Sequence, residues 1–408
     1  MSRFLSLSLA GVLFLGANAF SKDIKKEIKD NSKGVKISKS NKAELHDIFQ
    51  KAYGGSKKDI AYDVALLDDG SFIIAGSTKS WGKGRENILI TKFDKSGKPT
   101  LRGVFGGKQK DIAYAITKTS DGNFIAVGSS DSYSKEGDLD LIAIKFDKNL
   151  HKIWQKVYGG KRDDVGFALT PTPNGGALIA GYTESYGQGY KDGYVLFIDK
   201  NGKTLFQKAI GGKGDDILKG VVLSKKGGFF VAGKSDSYSD GDFDFYIAKF
   251  DSHGKFLFKK VLGGDEDDEF RAIDSTKDGG IVCAGSTQSF ESKREDVDIM
   301  RFDYMGNMIW HKIYGFKSKE WANSIVSMDD GGFLVAGTTK SFGFGNYDFY
   351  ILELDSKGKS RWANVYGGDN VDEAYSVKRF KDGSYMVVGK TKSYGNGDFD
   401  TLNIKLKK

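Results

Sequence analysis

Residues 158–210 read YGGKRDDVGFALTPTPNGGALIAGYTESYGQGYKDGYVLFIDKNGKTLFQKAI. This stretch runs from a Gly pair through an acid, a Gly-containing turn, an Ala-Gly, a Ser-aromatic pair and an Asp that precedes a short apolar run. The same order recurs seven times, with a period of 52 residues and a single step of 53. The first glycines of the seven phrases are Gly54, Gly106, Gly159, Gly211, Gly263, Gly315 and Gly367. A period of this length indicates a repeat architecture in which each repeat is one structural unit.

Each repeat predicts four short strands separated by Gly-rich turns and polar loops. In the first repeat these strands cover residues 60–67, 72–75, 88–93 and 101–105. Apolar and polar side chains alternate along the first strand, and the Asp69-Gly70 turn joins it to the second. No segment has a helical period. Four antiparallel strands in each of seven repeats predict an all-β protein, a seven-bladed β-propeller.

The ends of the chain predict how the ring closes. The seventh repeat, from Gly367 to Lys408, contains only three strands, and the missing fourth strand precedes the first repeat at residues 45–53. Phe49 occupies the slot that Trp or another large apolar residue fills in the fourth strand of each other blade. We therefore expect residues 45–53 to pair with residues 399–406 and to complete the last blade.

The repeat phrase resembles a known family. The residues that carry the resemblance are Tyr158-Gly159-Gly160, Asp164, Gly175-Gly176, Ala180-Gly181, Ser185-Tyr186-Gly187, Asp192 and the run Trp310-His311-Lys312-Ile313-Tyr314-Gly315. They are similar to the bacterial extracellular seven-bladed β-propeller repeats, over residues 45–408. The resemblance implies a secreted or envelope propeller, and the family has no shared activity to carry over. Phe316, Glu320 and Asn87 depart from the pattern, replacing a Gly, an Asp and an Asp.

The N-terminal segment predicts export. Residues 1–19 combine Arg3, an apolar core and a small-x-small site, which together predict a signal peptide cleaved after Ala19. Residues 20–44 are rich in Lys, Ser and Asn and predict a flexible leader. The mature protein is expected in the periplasm or the medium, as a monomer and with no transmembrane segment.

The net charge of +8 does not point to nucleic acid. The leader at residues 20–44 contains eight Lys against four acids, so the repeats themselves are close to neutral. The positive charge is therefore concentrated in the leader, and a basic segment of this kind leaves open a contact with anionic lipid or a polyanion. No nucleic-acid partner is predicted.

Three sets of residues recur at fixed positions, and blade topology predicts all three at one end of the ring, here called the loop face. The acidic ring consists of Asp59, Asp111, Asp164, Asp216, Asp268, Glu320 and Asp372. The aromatic ring, in which each member follows a Ser, consists of Trp81, Tyr133, Tyr186, Tyr238, Phe290, Phe342 and Tyr394. The third-strand ring consists of Asn87, Asp140, Asp192, Asp244, Asp296, Asp348 and Asp400.

Each set has a structural and a functional interpretation. In a propeller the first strand of each blade lines a central channel, and the acidic ring precedes these strands. Its acids either accept hydrogen bonds within their own turns or gather around a cation or basic peptide at the mouth of this channel. The aromatic ring either packs between blades or offers stacking platforms to a sugar. The third-strand ring is interpreted as ordinary turn residues, because its acids lack the Gly and distant Glu of a calcium loop.

No catalytic signature accompanies these rings. The four His residues fall at non-equivalent positions, and no nucleophile elbow, zinc motif or Cys/His cluster occurs. The connections have nearly equal length in every repeat, so no blade supplies the unequal loops that build most propeller active sites. No catalytic residue, metal ligand or cofactor is predicted. The predicted function is a non-enzymatic exported scaffold that binds a protein or other envelope partner through the acidic and aromatic rings. The alternatives are a multivalent glycan-binding propeller or a propeller enzyme.

Overall fold

The computed structural model describes residues 45–134, 137–239, 241–290, 292 and 294–407. The predicted signal peptide and leader, with their boundaries, lie outside the described residues. Twenty-eight strands in this part of the chain form seven sheets of four antiparallel strands. The predicted seven-bladed β-propeller is confirmed. No helix in the described ranges is long and apolar enough to cross a bilayer.

The strands follow one another in chain order within each blade. Blades 1 and 2 contain β2 (Asp59–Leu66), β3 (Phe72–Thr78), β4 (Asn87–Phe93) and β5 (Pro99–Phe105), then β6 (Asp111–Lys118), β7 (Phe124–Ser130), β8 (Asp140–Phe146) and β9 (Lys152–Tyr158). Blades 3 and 4 contain β10 (Asp164–Pro171), β11 (Ala177–Thr183), β12 (Asp192–Ile198) and β13 (Thr204–Ile210), then β14 (Asp216–Leu223), β15 (Phe229–Ser235), β16 (Asp244–Phe250) and β17 (Phe256–Leu262). Blades 5 and 6 contain β18 (Asp268–Ser275), β19 (Ile281–Thr287), β20 (Asp296–Phe302) and β21 (Met308–Tyr314), then β22 (Glu320–Ser327), β23 (Phe333–Thr339), β24 (Asp348–Leu354) and β25 (Ser360–Tyr366). Blade 7 contains β26 (Asp372–Arg379), β27 (Tyr385–Thr391), β28 (Asp400–Lys407) and β1 (His46–Tyr53).

The N-terminal strand closes the ring, as predicted. β1 is antiparallel to β28, with partners running from His46 opposite Lys407 to Tyr53 opposite Thr401. The ring of Phe49 stacks 6.3 Å from that of Phe72 in blade 1. One strand therefore completes the last blade and also packs on the first.

The hydrophobic core lies in the seams between neighbouring blades. The clusters of buried side chains each combine residues of two adjacent blades, as in the cluster that joins Ile73 and Ile90 to Phe124 and Ile142. Second strands such as β3 and β11 are buried at every residue. Because both faces of each sheet are covered, these strands are nearly continuous apolar runs rather than alternating ones.

The first strand of every blade is innermost and carries a β-bulge. The innermost strands of successive blades contact one another around the whole ring. In β2 the pairing with β3 skips from Ala61 to Asp63, so Tyr62 has no cross-strand partner. The same shift occurs in all six other blades. A bulge changes the direction in which the side chain of the extra residue points. The regular alternation predicted along this strand is therefore wrong at that residue.

Candidate interaction site

The acids of the acidic ring are buried and bonded within their own loops. Asp59 Oδ2 accepts hydrogen bonds from Gly55 N at 2.7 Å and from Ser80 Oγ at 2.6 Å. The same two bonds recur at Asp111, Asp164, Asp216 and Asp372. No member of the ring is more than 1% exposed. These carboxylates fix the loop face in place, but they do not form an accessible surface around the channel mouth.

The acidic ring and the third-strand ring meet at the blade junctions. A Cβ atom on Gly367 would lie 1.9 Å from Asp348 Oδ1 and 2.8 Å from Asp372 Oδ2, so two carboxylates flank this glycine. The pairs formed in this way are Asp140 with Asp164, Asp192 with Asp216, Asp244 with Asp268, Asp296 with Glu320, Asp348 with Asp372 and Asp400 with Asp59. The first Gly of the repeat phrase is required because these carboxylates occupy the space of its side chain.

Burial makes several of these carboxyls hold protons more tightly. It raises the pKa of Asp140 and of Asp348 to about 6, and the facing Asp164 and Asp372 contribute to the shift. Burial likewise raises the pKa of Asp268 to about 7. Among the described residues, Asp348 Oδ1 and Asp372 Oδ1 have no hydrogen-bond partner. Each pair is thus a buried, like-charge contact whose ionisation is costly.

Blade 6 shows how the loop tolerates its two departures from the repeat. In most blades the second Gly lies under the Ser, as where a Cβ on Gly368 would be 2.7 Å from Ser393 Cβ. Phe316 replaces this Gly, and its ring packs against Phe342 with 4.4 Å between centroids. The longer Glu320 still accepts from Phe316 N at 3.1 Å. The two substitutions together preserve the hydrogen bond that defines the loop.

The aromatic ring lies on the outer part of the loop face and is partly accessible. Tyr133, Tyr186, Tyr238 and Tyr394 are 38–42% exposed, and the remaining three members are half-buried. The Tyr186 hydroxyl donates to Gly159 O at 2.8 Å, which ties the side chain to the end of the preceding blade. The side chains both pack at the seams and present an edge to solvent, so the sugar-stacking alternative stays open.

The bulges place a fourth set of residues around the axis of the ring. This channel ring consists of Tyr62, Tyr114, Phe167, Lys219, Arg271, Asn323 and Tyr375, all half-buried. Neighbouring members contact one another: the Tyr62 ring lies 5.4 Å from that of Tyr114 and 5.1 Å from that of Tyr375. The Lys219 ammonium lies 3.5 Å from the centre of the Phe167 ring.

The channel ring is divided into an aromatic arc and a polar arc. Blades 7, 1, 2 and 3 supply three Tyr and one Phe, whereas blades 4, 5 and 6 supply Lys, Arg and Asn. On the polar side, Glu269 Oε2 lies 3.7 Å from Arg271 Nε and 3.5 Å from Lys234 Nζ. Arg271 also reaches Glu295, at the loop-face end of β20, at 3.0 Å. The polar arc is therefore at the loop-face mouth of the channel.

Burial and neighbouring charges shift the pKa values of side chains in and beside the polar arc. Burial lowers the pKa of Lys219 to about 8, although Glu269 opposes the shift. For Glu269, burial alone would raise the pKa, but Arg271, Lys234 and Lys219 together lower it. The arc thus combines an ionised carboxylate with three cationic side chains, one of which loses its proton close to neutral pH.

The channel ring was not predicted from the sequence. This slot of the repeat changes from Tyr to Lys, Arg and Asn, but the slot two residues earlier also changes, from Ile to Glu and Trp, so divergence between repeats gives only a weak signal. No group of three or more His, Cys, Asp or Glu side chains in the described part of the chain could hold a metal ion.

No family model matches the chain, and no curated protein matches it. Solved structures do. The WD40 domain of Pan2 from Neurospora crassa is similar over 89% of this chain and 95% of its own, with 13% identity and a TM-score of 0.54. Sqt1 from Chaetomium thermophilum, bound to the N-terminus of the ribosomal protein L10, is similar over 87% of this chain and 98% of its own, with 11% identity and a TM-score of 0.49. Similarity to Pan2 at this identity shows the β-propeller fold alone.

Proposed function

We propose that the protein is an exported, non-enzymatic propeller that binds a protein partner at the channel mouth of its loop face. The observation that carries this proposal is the channel ring. Its seven side chains are half-buried, adjacent to one another and chemically different from blade to blade. We also propose that the chain belongs to the bacterial extracellular repeats that it resembles.

The composition of the channel ring supports a protein partner. Tyr and Arg are enriched among the residues that dominate binding energy, and such residues cluster at the centre of an interface. The surrounding loops are held by the buried acids, so binding would cost little conformational entropy. The aromatic arc suits an apolar or aromatic side chain, and Lys219 with Arg271 suits an acidic one.

The test is affinity capture from the envelope fraction of the source cells, using the mature protein as bait. We expect a protein that is retained by wild type and lost with Tyr114→Ser and with Arg271→Ser. Matched controls are Ile153→Ser and Leu257→Ser, which change exposed apolar residues on outer strands. Capture that survives both channel-ring substitutions, or that depends on the outer strands, would contradict the proposed site.

Export is part of the proposal and has its own test. The signal segment at residues 1–19 supports it. When the full chain is expressed in a Gram-negative host, we expect periplasmic or secreted protein whose N-terminus, read by mass spectrometry, is Phe20. Uncleaved protein in the cytoplasm would refute export without affecting the proposed binding site.

A second candidate function is multivalent glycan binding through the aromatic ring. Four of its tyrosines are 38–42% exposed at repeated positions, which would give a polysaccharide several equivalent contacts. Loss of polysaccharide binding on Tyr133→Ala combined with Tyr186→Ala, with partner capture unchanged, would favour this function. The reverse pattern would favour the channel mouth.

A further inference from the structure

The end of the ring opposite the loop face carries a cleft between the last and first blades. The cleft has a volume of about 590 Å³ and lies among the hairpin turns that join β2 to β3 and β26 to β27. Its lining has a net charge of +2, from five cations (Lys95, Lys118, Arg379, Lys381, Lys405) and three acids (Asp68, Asp69, Asp382). Leu67 and Phe380 provide apolar wall. A cleft of this size is in the range of small-molecule sites.

Lys405 lies in this cleft and differs from its counterparts in other blades. The equivalent cations donate to the second residue of the next blade's outer turn: Lys92 to Lys148 O at 3.2 Å, Lys145 to Lys200 O at 3.1 Å, Lys249 to Tyr304 O at 2.8 Å and Arg301 to Ser356 O at 3.2 Å. Lys405 makes no such bond within the described ranges; its equivalent acceptor would be the Lys95 carbonyl. In the same turn, Lys51 donates to the next carbonyl, Ser96 O, at 2.8 Å.

The Lys405 side chain is buried while its ammonium faces the cleft. The residue is only 6% exposed, and Nζ lies 4.2 Å from the centre of the Phe380 ring. A Cβ atom placed on Gly70, which lines the cleft, would lie 3.8 Å from Nζ, so the ammonium is next to the cleft wall. Burial lowers the pKa of Lys405, although Asp382 opposes the shift. The aliphatic part of the side chain is therefore buried, while the ammonium is open to the cleft and can donate to a molecule bound there.

Apart from Lys95, the other charged side chains of the cleft have hydrogen-bond or ion-pair partners; Asp69 accepts from Ser71 N at 2.9 Å. Asp68 binds Lys118 at 2.7 Å and Lys381 at 2.6 Å, and Arg379 pairs with Asp329 of the neighbouring blade. Asp382 accepts from the Ser384 backbone and hydroxyl within its own turn. In the part of the chain that the structure describes, Lys405 and the exposed Lys95 are the cleft cations without an ion pair. With Asp329 counted, five cations face four acids, so the cleft keeps a net charge of +1.

We propose that this cleft binds a small organic anion through a tetrahedral oxyanion group, a phosphate or a sulfate. The oxyanion would accept hydrogen bonds from Lys405 Nζ and Lys95 Nζ, and its organic part would lie against Leu67 and Phe380. Charge-assisted bonds to a poorly solvated ammonium are stronger than those to exposed lysines. The site is on the face opposite to the channel ring, so it does not depend on the proposed function.

The test is titration of the mature protein with inorganic phosphate, inorganic sulfate and glycerol 3-phosphate by calorimetry, at ionic strength held constant with chloride. We expect saturable binding of at least one probe at a stoichiometry of one, tighter for glycerol 3-phosphate if the apolar wall contributes. Lys405→Met should weaken binding at least about tenfold, and Lys405→Arg should restore part of it. The matched control Lys249→Met removes the equivalent cation of blade 4, which is not part of the cleft lining, and should bind as wild type does.

If Lys405→Met unfolds the chain, Lys95→Gln provides the second variant, since Lys95 is exposed. It removes the other unpaired cation and should weaken binding severalfold. Absence of saturable binding for all three probes below about 10 mM would overturn the proposal. Equal affinity in wild type and both variants would also overturn it.

Discussion

Replacing Asp348 by Asn should stabilise the protein at pH 8. Asp348 and Asp372 are each fully buried, and one oxygen of each lacks a partner within the described ranges. Burial, with Asp372 beside it, raises the pKa of Asp348 from 3.8 to about 6. A shift of this size corresponds to a penalty of roughly 3 kcal/mol for ionising the group in the folded state. The amide removes this charge from the buried site beside Asp372.

The sign of the pH dependence follows from the direction of the shift. Because the folded chain binds the Asp348 proton more tightly, this group's contribution to stability falls as pH rises from about 4 to about 6 and is level above that. Asp348→Asn should therefore gain roughly 1–3 kcal/mol over wild type at pH 8 and little at pH 4.

The assay is urea unfolding followed by tryptophan fluorescence at both pH values. Blade 1 offers the reciprocal change, since its third-strand residue is already an amide: Asn87→Asp should destabilise the protein at pH 8. Asp47→Asn changes the charge equally at an exposed position of β1 and serves as the control. If Asp348→Asn destabilises the chain at both pH values, the reasoning fails. If a chelator also abolishes the difference, the pair holds a cation, the alternative considered for these acids.

Three further predictions concern the ring and its channel. A chain without residues 1–53 should lose cooperative melting, whereas one without residues 1–44 should melt as the mature protein does, because only the first lacks β1; calorimetry distinguishes them. Gly181→Ala should cost about 3 kcal/mol or more in urea unfolding, since its Cβ would lie 1.7 Å from Val165 O; an unchanged midpoint would contradict the packing. Partner binding should weaken as pH rises through about 8, because Lys219 then loses its charge; a flat profile in a pull-down titration between pH 7 and 9 would count against the polar arc.

The fold could be predicted because every repeat carries the same local sequence signals. Gly, Asp-Gly and strand-length apolar runs are local signals, and seven copies reinforce one another. Counting strands also predicted the closure, since a repeat lacking its fourth strand leaves an unpaired edge. The register from His46 to Tyr53 on β28 confirms that prediction.

The channel ring could not be predicted from alternation alone. A bulge adds one residue to one strand of a pair, and period-two alternation does not show which side of the sheet that residue faces. Tyr62 therefore looked like an ordinary member of the strand. Its slot changes to Lys219 and Arg271 in blades 4 and 5, but the slot of Ile60 also changes, to Glu269 in blade 5, so divergence between repeats does not single it out.

The carboxylate pairs could not be predicted from the sequence for a different reason. Asp348 and Asp372 lie in two different blades, and each belongs to a separate repeated position. The junction brings them together around Gly367, and only the structure shows that one glycine accommodates both. The repeat predicted that the acids of the acidic ring lie on the loop face, but it did not predict that their side chains are buried there. For this reason an accessible acidic surface was expected.

The most direct test of the central claim is site-specific photo-crosslinking in the envelope. A photoreactive phenylalanine analogue would replace Tyr62 or Tyr114 in the channel ring, and Ile153 on β9 would provide the outer-strand control. The account predicts one crosslinked protein species from both channel positions and none of that species from the control. Crosslinking of the same partner from Ile153, with none from the channel ring, would contradict it.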